Sequence, residues 1–383
     1  MKALSSVVTS IPRSGIRELM DLAWSTPGVI HLEVGEPDFA TPDHVLQAAA
    51  RAGADGYTKY TPNAGIPEVR EAFAAKVSAR NGFIAAPDNV VVTVGAINAL
   101  FQSIMVLCDP GDAVLIPDPG WPNYEIVARA VGVRPVRYPL VPSAGFVPDL
   151  EALETAAATP GAKAMIMNSP GNPTGAVFDR TTQEQMLEIA HRHDLWLISD
   201  ECYEDIVFDG PHVSPAAVAS HERVISVYSM SKSYAMTGWR VGYAVAPLEV
   251  AENMAKLAEA VTACVTGVAQ KAAQAAVEGD QSCVAEMRDA YRRRRDLAAG
   301  LLESAGMLVF RPQGAFYIMV DVSAAQRGGY DLCRWLVTEH GVAAAPGETF
   351  GPNGVGLIRV SLSAADEDVR TGVERIVAAL ATV

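Results

Sequence analysis

The segment Ser229-Met230-Ser231-Lys232 holds one of only seven lysines in the chain and comes directly after an apolar run, Val224–Tyr228, with the composition of a buried strand. A primary amine at a strand end can form a Schiff base with an aldehyde cofactor and, once released, can carry a proton. A surface lysine in a serine-rich turn is the competing reading. Eight residues on, Arg240 stands in Gly238-Trp239-Arg240-Val241-Gly242. Its planar fork suits a phosphate dianion, to which Ser229 could also donate. In Leu195-Trp196-Leu197-Ile198-Ser199-Asp200-Glu201-Cys202-Tyr203 a carboxylate closes another apolar run. If buried, Asp200 needs a cationic partner. A protonated pyridine nitrogen would serve, and Tyr203 could reach a phenolate oxygen on the same ring. The alternative is an N-cap for the next turn.

Three more strand ends carry candidates. In Thr93-Val94-Gly95-Ala96-Ile97-Asn98, Gly95 frees the backbone to turn, so that the amides of Ala96 and Ile97 open a helix N-terminus that can receive an anion. In Asn168-Ser169-Pro170-Gly171-Asn172-Pro173-Thr174-Gly175, turn chemistry explains most residues. It leaves two asparagines, one of which could donate to a cofactor oxygen or a carboxylate. In Asp118-Pro119-Gly120-Trp121-Pro122-Asn123-Tyr124, Trp121 could stack on a flat ring or simply fill the core.

These residues require elements that bring several strand ends together. Strand-like runs at Asn89–Val94, Ala113–Pro117, Ala164–Asn168, Leu195–Ser199, Val224–Tyr228 and Val241–Val245 alternate with helical patterns at Ile97–Leu107, Tyr124–Val131 and Thr182–His191. That alternation predicts an α/β fold whose large domain has a mostly parallel sheet sandwiched by helices. Ligands of such sheets bind beyond the carboxyl ends of the strands. After Val245 the chain turns helical and alanine-rich, then mixed, with Leu308–Phe310, Ala315–Val320, a helix near Tyr330–His340, Leu357–Ser361 and a last helix from Ala365. This predicts a smaller α+β domain. The chain is divided accordingly into an N-terminal segment, 1–40, expected to pack with the small domain, a large cofactor-binding domain, 41–280, and a small C-terminal domain, 281–383.

Composition narrows the function. Half of the 383 residues are apolar and 19% are charged, with a net charge of −14. A sizeable core is expected, and a nucleic acid is disfavoured as partner. The run Arg292-Arg293-Arg294-Arg295 lies in a helix-like stretch and reads as a solvated face with local ion pairs. Five scattered cysteines, without a CxxC pair, fit reduced thiols and a cytoplasmic location. His191 and His193 complete no metal-ligand pattern, so no metal is expected. There is neither a signal-peptide core at the start nor an apolar run of membrane-spanning length, so no membrane is expected as partner.

Taken together, these segments resemble the class I/II aminotransferases of the fold-type-I pyridoxal-phosphate enzymes. The resemblance extends over nearly the whole chain. It includes Gly35-Glu36-Pro37-Asp38-Phe39, Tyr57-Thr58-Lys59-Tyr60, Gly65-Ile66-Pro67-Glu68, Pro312-Gln313-Gly314-Ala315-Phe316-Tyr317, Pro346-Gly347-Glu348-Thr349-Phe350-Gly351 and Ile358-Arg359-Val360-Ser361. It implies pyridoxal 5'-phosphate as cofactor, with Lys232 as the Schiff-base lysine and Asp200 as partner of the pyridine nitrogen. Asn172 and Tyr203 are implied as ligands of the ring hydroxyl oxygen, and Trp121 as the stacking ring. Gly95, Ala96, Ile97, Ser229 and Arg240 form the implied phosphate cup, joined by Tyr60 from the neighbouring subunit of a homodimer. Arg359 is implied to hold the substrate α-carboxylate, assisted by Asn172 and the Gly35 backbone. A bidentate guanidinium is the natural match for that group.

The reaction implied is ping-pong exchange of an amino group between an amino acid and a 2-oxo acid. A β-lyase or cyclising synthase on the same scaffold shares the early proton abstraction and differs in needing no amino acceptor. A cofactor-binding regulator would usually carry a DNA-binding segment, and no spare basic domain is present. Aspartate-specific relatives use a cation for the distal carboxylate. The position after the cup glycine and alanine is the apolar Ile97, and no arginine lies between Arg240 and Arg288. Neutral or aromatic donors are therefore expected over aspartate, with Arg13 or Arg17 as candidates to admit an acidic acceptor.

Overall fold

A computed structural model describes residues 4–11, 15–218 and 221–382. Its main sheet has eight strands, in the order Val90–Thr93, Gly242–Val245, Val224–Ser229, Trp196–Asp200, Ala162–Asn168, Ala113–Asp118, Arg134–Val141 and Val147–Pro148. The five strands from Val224–Ser229 to Arg134–Val141 pair in parallel. Gly242–Val245 runs antiparallel to both of its neighbours. Continuous apolar runs such as Val90–Thr93 and Ala113–Asp118 are buried along their whole length, because helices cover both faces. Helix Gly95–Leu107 and its neighbours pack on one face, and Pro67–Arg80 and Gly267–Glu278 on the other.

Register places the chemistry. Asn168 pairs with Asp200, and Asp200 with Val227. Gly242 pairs with Ser229 on one side and Thr93 on the other. The carboxyl ends of four strands therefore meet along one edge. The antiparallel strand contributes its glycine there, and a Cβ on Gly242 would lie 2.7 Å from the Ala96 amide nitrogen. The sequence pattern does not predict the strand Arg134–Val141, because Pro135 and Pro139 interrupt it. They are tolerated because the strand's full-length partner lies on one edge only, while the other edge pairs at Leu140 and Val141.

A second core surrounds a three-stranded antiparallel sheet, Tyr317–Asp321, Leu357–Ser361 and Ala345–Pro346, with helices Ser282–Ser304, Gly329–His340 and Asp366–Leu380. Leu308–Phe310 forms no strand, only a bridge from Leu308 to Val320. Near the N-terminus, Ile30–His31 pairs with Val342–Ala343, and Leu19 and Leu32 join this core. The arginine run corrects the solvated-face expectation. Arg293 is exposed, but Arg294 and Arg295 are 5% and 4% exposed. Arg294 donates to both carboxylate oxygens of Asp38, each at 2.8 Å, and to Asp366 at 2.6 Å. Arg295 pairs with Asp209 and Asp296 and lies over the Phe208 ring. Periodicity places four consecutive residues around the helix; it does not reveal that distant carboxylates wait on two of those sides.

Candidate active site

Beyond the aligned strand ends lies a cavity of about 360 Å³, whose wall includes Gly35, Ala96, Ile97, Trp121, Asn172, Asp200, Tyr203, Ser229, Lys232, Arg240 and Arg359. Eleven of the thirteen residues singled out from sequence thus share one space. Gly95 stands immediately behind it with φ +71°, and a Cβ there would meet the Arg240 guanidinium at 2.4 Å. Tyr60 does not line the cavity of its own chain and is 91% exposed.

Helix Gly95–Leu107 begins where the strand Val90–Thr93 ends. Its first amides have no partner within the helix, and Ala96 and Ile97 line the same cavity as Ser229 and Arg240. Arg240 itself has a left-handed backbone, φ +54°, and is held by an Nη1 bond of 2.8 Å to the Thr237 carbonyl. A glycine, a helix start, a hydroxyl and a guanidinium converge here, as a dianion requires.

Asp200 ends its strand fully buried. Its Oδ2 accepts from the Tyr124 phenol at 2.6 Å, and its Oδ1 from the Cys202 amide at 3.2 Å. Both donors are neutral, and Asp200 forms no ion pair among the described residues. Burial pushes its carboxyl above the usual range, against the pull of those hydrogen bonds. Asn168 and Asn172 divide their work. Asn168 donates to the Asp200 and Pro170 carbonyls and accepts from the Asn172 amide, so it ties two strand ends together. Asn172 accepts from Arg359 Nη1 through its Oδ1 at 2.9 Å, and Asn172 itself lines the cavity. The Tyr203 phenol meets that of Tyr317 at 2.9 Å.

The Lys232 amine donates to the Gly35 carbonyl at 2.6 Å. Burial, helped by Arg359 and Arg240, lowers its pKa to about 8, while Cys202 and Glu36 oppose the shift. An uncharged amine is therefore accessible near neutral pH. Arg359 is fixed by Asn172, by an Nη2 bond of 2.5 Å to the Glu33 carbonyl, and by stacking 4.3 Å from the Tyr317 ring and 4.9 Å from Phe350. Its Nε is buried and has no hydrogen-bond partner among the described residues.

Four participants have no role that the sequence alone assigns. Tyr124 lies three residues after Trp121, one helical turn, which could have paired them. Tyr317 closes the Pro312–Tyr317 motif. Ile16 and Met20, four apart on helix Gly15–Ser25, give the cavity an apolar flank, and only the tertiary fold reveals that. Arg17, on the same helix, is exposed; Arg13 lies outside the described residues. His193 pairs with Glu154 at 2.6 Å, away from the cavity.

Residues 27–376 match the aminotransferase class I and II family. The chain is 42% identical to the aspartate/prephenate aminotransferase of Thermus thermophilus, over 91% of this chain and 90% of that one. It is 36% identical to aromatic-amino-acid aminotransferase 2 of Thermococcus litoralis, over 98% and 97%. The solved structure of the T. thermophilus aspartate aminotransferase with maleate superposes with a TM-score of 0.93 at 39% identity, covering 99% of this chain and all of the other.

Proposed function

Because the chain belongs to the class I and II aminotransferases, we propose that it holds pyridoxal 5'-phosphate in this cavity on Lys232 and prefers amino donors with neutral or aromatic side chains. The observation that carries the cofactor assignment is Asp200, a buried carboxylate with neutral donors only, facing the same cavity as a lysine amine whose pKa is about 8. Such a carboxylate calls for a cation from a ligand, and a pyridinium nitrogen is one. The converging Gly95, Ala96, Ser229 and Arg240 fit the phosphate, Trp121 the ring face, and Asn172 with Tyr203 the ring oxygen. When bound, the cofactor supplies an aldehyde for amine condensation and a cationic ring that withdraws electrons from the adjacent carbon.

The chain's own residues then divide the work. Arg359 receives the α-carboxylate through the fork that Asn172, Tyr317 and Phe350 hold in place. The amine of Lys232 takes the proton from the substrate Cα, a task for which a pKa near working pH is suited. Asp200, held by Tyr124, keeps its negative charge against the ring nitrogen. A 2-oxo acid later enters the same cavity, and the same residues act in reverse. Tyr60, exposed on its own chain, is assigned to the phosphate of a neighbouring copy in a homodimer. The five cysteines are unpaired thiols and among the described residues no helix is long and apolar enough to cross a membrane, in keeping with a cytoplasmic enzyme.

The donor preference rests on the apolar flank of Ile16, Met20 and Ile97. Among the described residues the cations on the cavity wall are Lys232, Arg240 and Arg359, each of which already has a task. No further cation on the cavity wall, among the described residues of this chain, would meet a second carboxylate on the substrate, and burying one unpaired costs on the order of several kcal/mol. Aspartate is the second reading, favoured by the 42% identity to a relative named for aspartate and prephenate. The test is kcat/KM for aspartate, glutamate, alanine, leucine, methionine, phenylalanine and tyrosine at saturating acceptor. Phenylalanine, tyrosine, leucine or methionine is expected to lead; aspartate leading by about tenfold or more refutes the preference.

A further inference from the structure

Asp200 and Tyr203 face the cavity, and the residue after each of them faces the interior. Glu201 is fully buried. Its Oε2 accepts from His212 Nε2 at 2.7 Å, and its Oε1 from the Ser214 hydroxyl at 3.0 Å. Glu204 pairs with Lys76 and accepts from the Asn81 amide, and Lys76 also reaches the Asn81 carbonyl oxygen at 3.3 Å. Lys76 lies in helix Pro67–Arg80, and its ammonium stands 4.8 Å over the Tyr228 ring. The segment between is a turn. The strand ends at Asp200, and the backbone bonds of the turn are few: Glu201 to Val227, Glu204 to Glu201 and Ile206 to Tyr203.

Three ligand atoms, from Glu201, Glu204 and His212, lie within 4.8 Å of one another. Lys76 gives Glu204 a cation, and His212 and Ser214 hydrogen-bond Glu201, so the cluster is accounted for without a metal. Two carboxylates this deep are retained only while paired, because breaking a buried pair leaves an uncompensated charge. The segment 200–204 is thus clamped from behind through Glu201 and Glu204, while Asp200 and Tyr203 meet the ligand.

We propose that Glu201 and Glu204, clamped by His212 and Lys76, are positioning residues that fix the turn carrying Asp200 and Tyr203 against the cofactor ring. The inference rests on the reading of Asp200 and Tyr203 as ring partners. A displacement of about 1 Å at a reacting centre is enough for roughly a hundredfold loss of rate; Asn168, Tyr124 and Tyr317 hold the turn from the cavity side, and Glu201 and Glu204 hold it from behind. Glu201 also stands beside Asp200 and raises its pKa by charge repulsion.

The test separates positioning from folding. Replacing a buried ion pair by apolar residues of similar volume often leaves stability intact, so Lys76→Met/Glu204→Met is made together. Three quantities are read: the urea midpoint, the dissociation constant of pyridoxal phosphate from the apoenzyme, and the single-turnover rate of α-proton removal. The expected result is a wild-type urea midpoint with cofactor affinity and single-turnover rate each down at least tenfold. Both staying within twofold of wild type in a folded protein overturns the proposal. If that variant does not fold, His212→Gln, which keeps a donor for Glu201 but removes the imidazole, decides. It is expected to lower kcat at least fivefold with donor KM within twofold, and an unchanged kcat refutes the role. Asp200→Ala is measured alongside. If it is nearly as active as wild type, the reading of the site fails; if it is crippled while the network variants are not, only the positioning role fails.

Discussion

Replacing Arg359 by lysine keeps the charge and removes the fork. In the folded protein the guanidinium donates through Nη1 to Asn172 and through Nη2 to Glu33, and stacks at 4.3 Å on Tyr317. An ammonium offers one point contact and no planar stacking. One charge-assisted hydrogen bond to the substrate carboxylate is lost, worth about 1.5–3 kcal/mol. The ring contact that fixes the side chain weakens as well, by about 0.5–2 kcal/mol. Together these give roughly 2–5 kcal/mol, or a fall in kcat/KM between about thirtyfold and several thousandfold. Every donor carries the α-carboxylate, so the loss should be uniform across alanine, leucine and phenylalanine. Steady-state kinetics with three donors measure it, and cofactor binding by the apoenzyme should stay within about threefold. A loss under fivefold, or one that differs more than tenfold between donors, would refute the assignment of Arg359 to the shared carboxylate.

The site yields two more expected outcomes. The Lys232 amine titrates near 8 in the folded chain against an ordinary value of 10.5, so between those limits the unfolded apoenzyme binds more protons and stability rises with pH. The gain attributable to Lys232 is on the order of 3 kcal/mol and is read as the difference in urea stability between wild-type apoenzyme and Lys232→Met; a difference that stays flat over that window contradicts a buried amine. If Tyr60 serves the neighbouring copy, hybrids of a severely impaired Tyr60 variant with Lys232→Ala contain one site with both residues intact and recover activity, whereas verified subunit exchange without recovery contradicts sharing.

Much of the site is legible in the sequence because its residues sit where strands end. Apolar runs mark the strands, and the residues just after each run face the ligand edge. Lys232, Asp200, Asn172, Trp121 and Ala96 stand out that way, and the sheet brings them to one cavity. Relations across the fold are the part that stays hidden. Nothing local pairs the Tyr124 phenol with Asp200 or joins Tyr203 to Tyr317 at 2.9 Å. Asn168 and Asn172 look alike in a turn-rich segment, and only their partners separate a strap between strands from a group at the cavity. The strand Arg134–Val141 is masked by two prolines that a lightly paired edge accommodates. Arg294 and Arg295 look like surface charge until Asp38, Asp366 and Asp209 are placed against them. Ile16 and Met20 enter the wall through the docking of an N-terminal helix that periodicity cannot orient.

The central claim is that Lys232 carries the cofactor, and one measurement meets it directly. Purified protein loaded with pyridoxal phosphate is reduced with borohydride, digested, and the modified peptide identified by mass spectrometry, with Lys232→Ala treated in parallel. The label is expected on the peptide containing Lys232 and on no peptide of the variant, whose visible absorption should also be lost. Stoichiometric label on Lys59, Lys256 or another lysine, or a variant that still fixes the cofactor, would contradict the account.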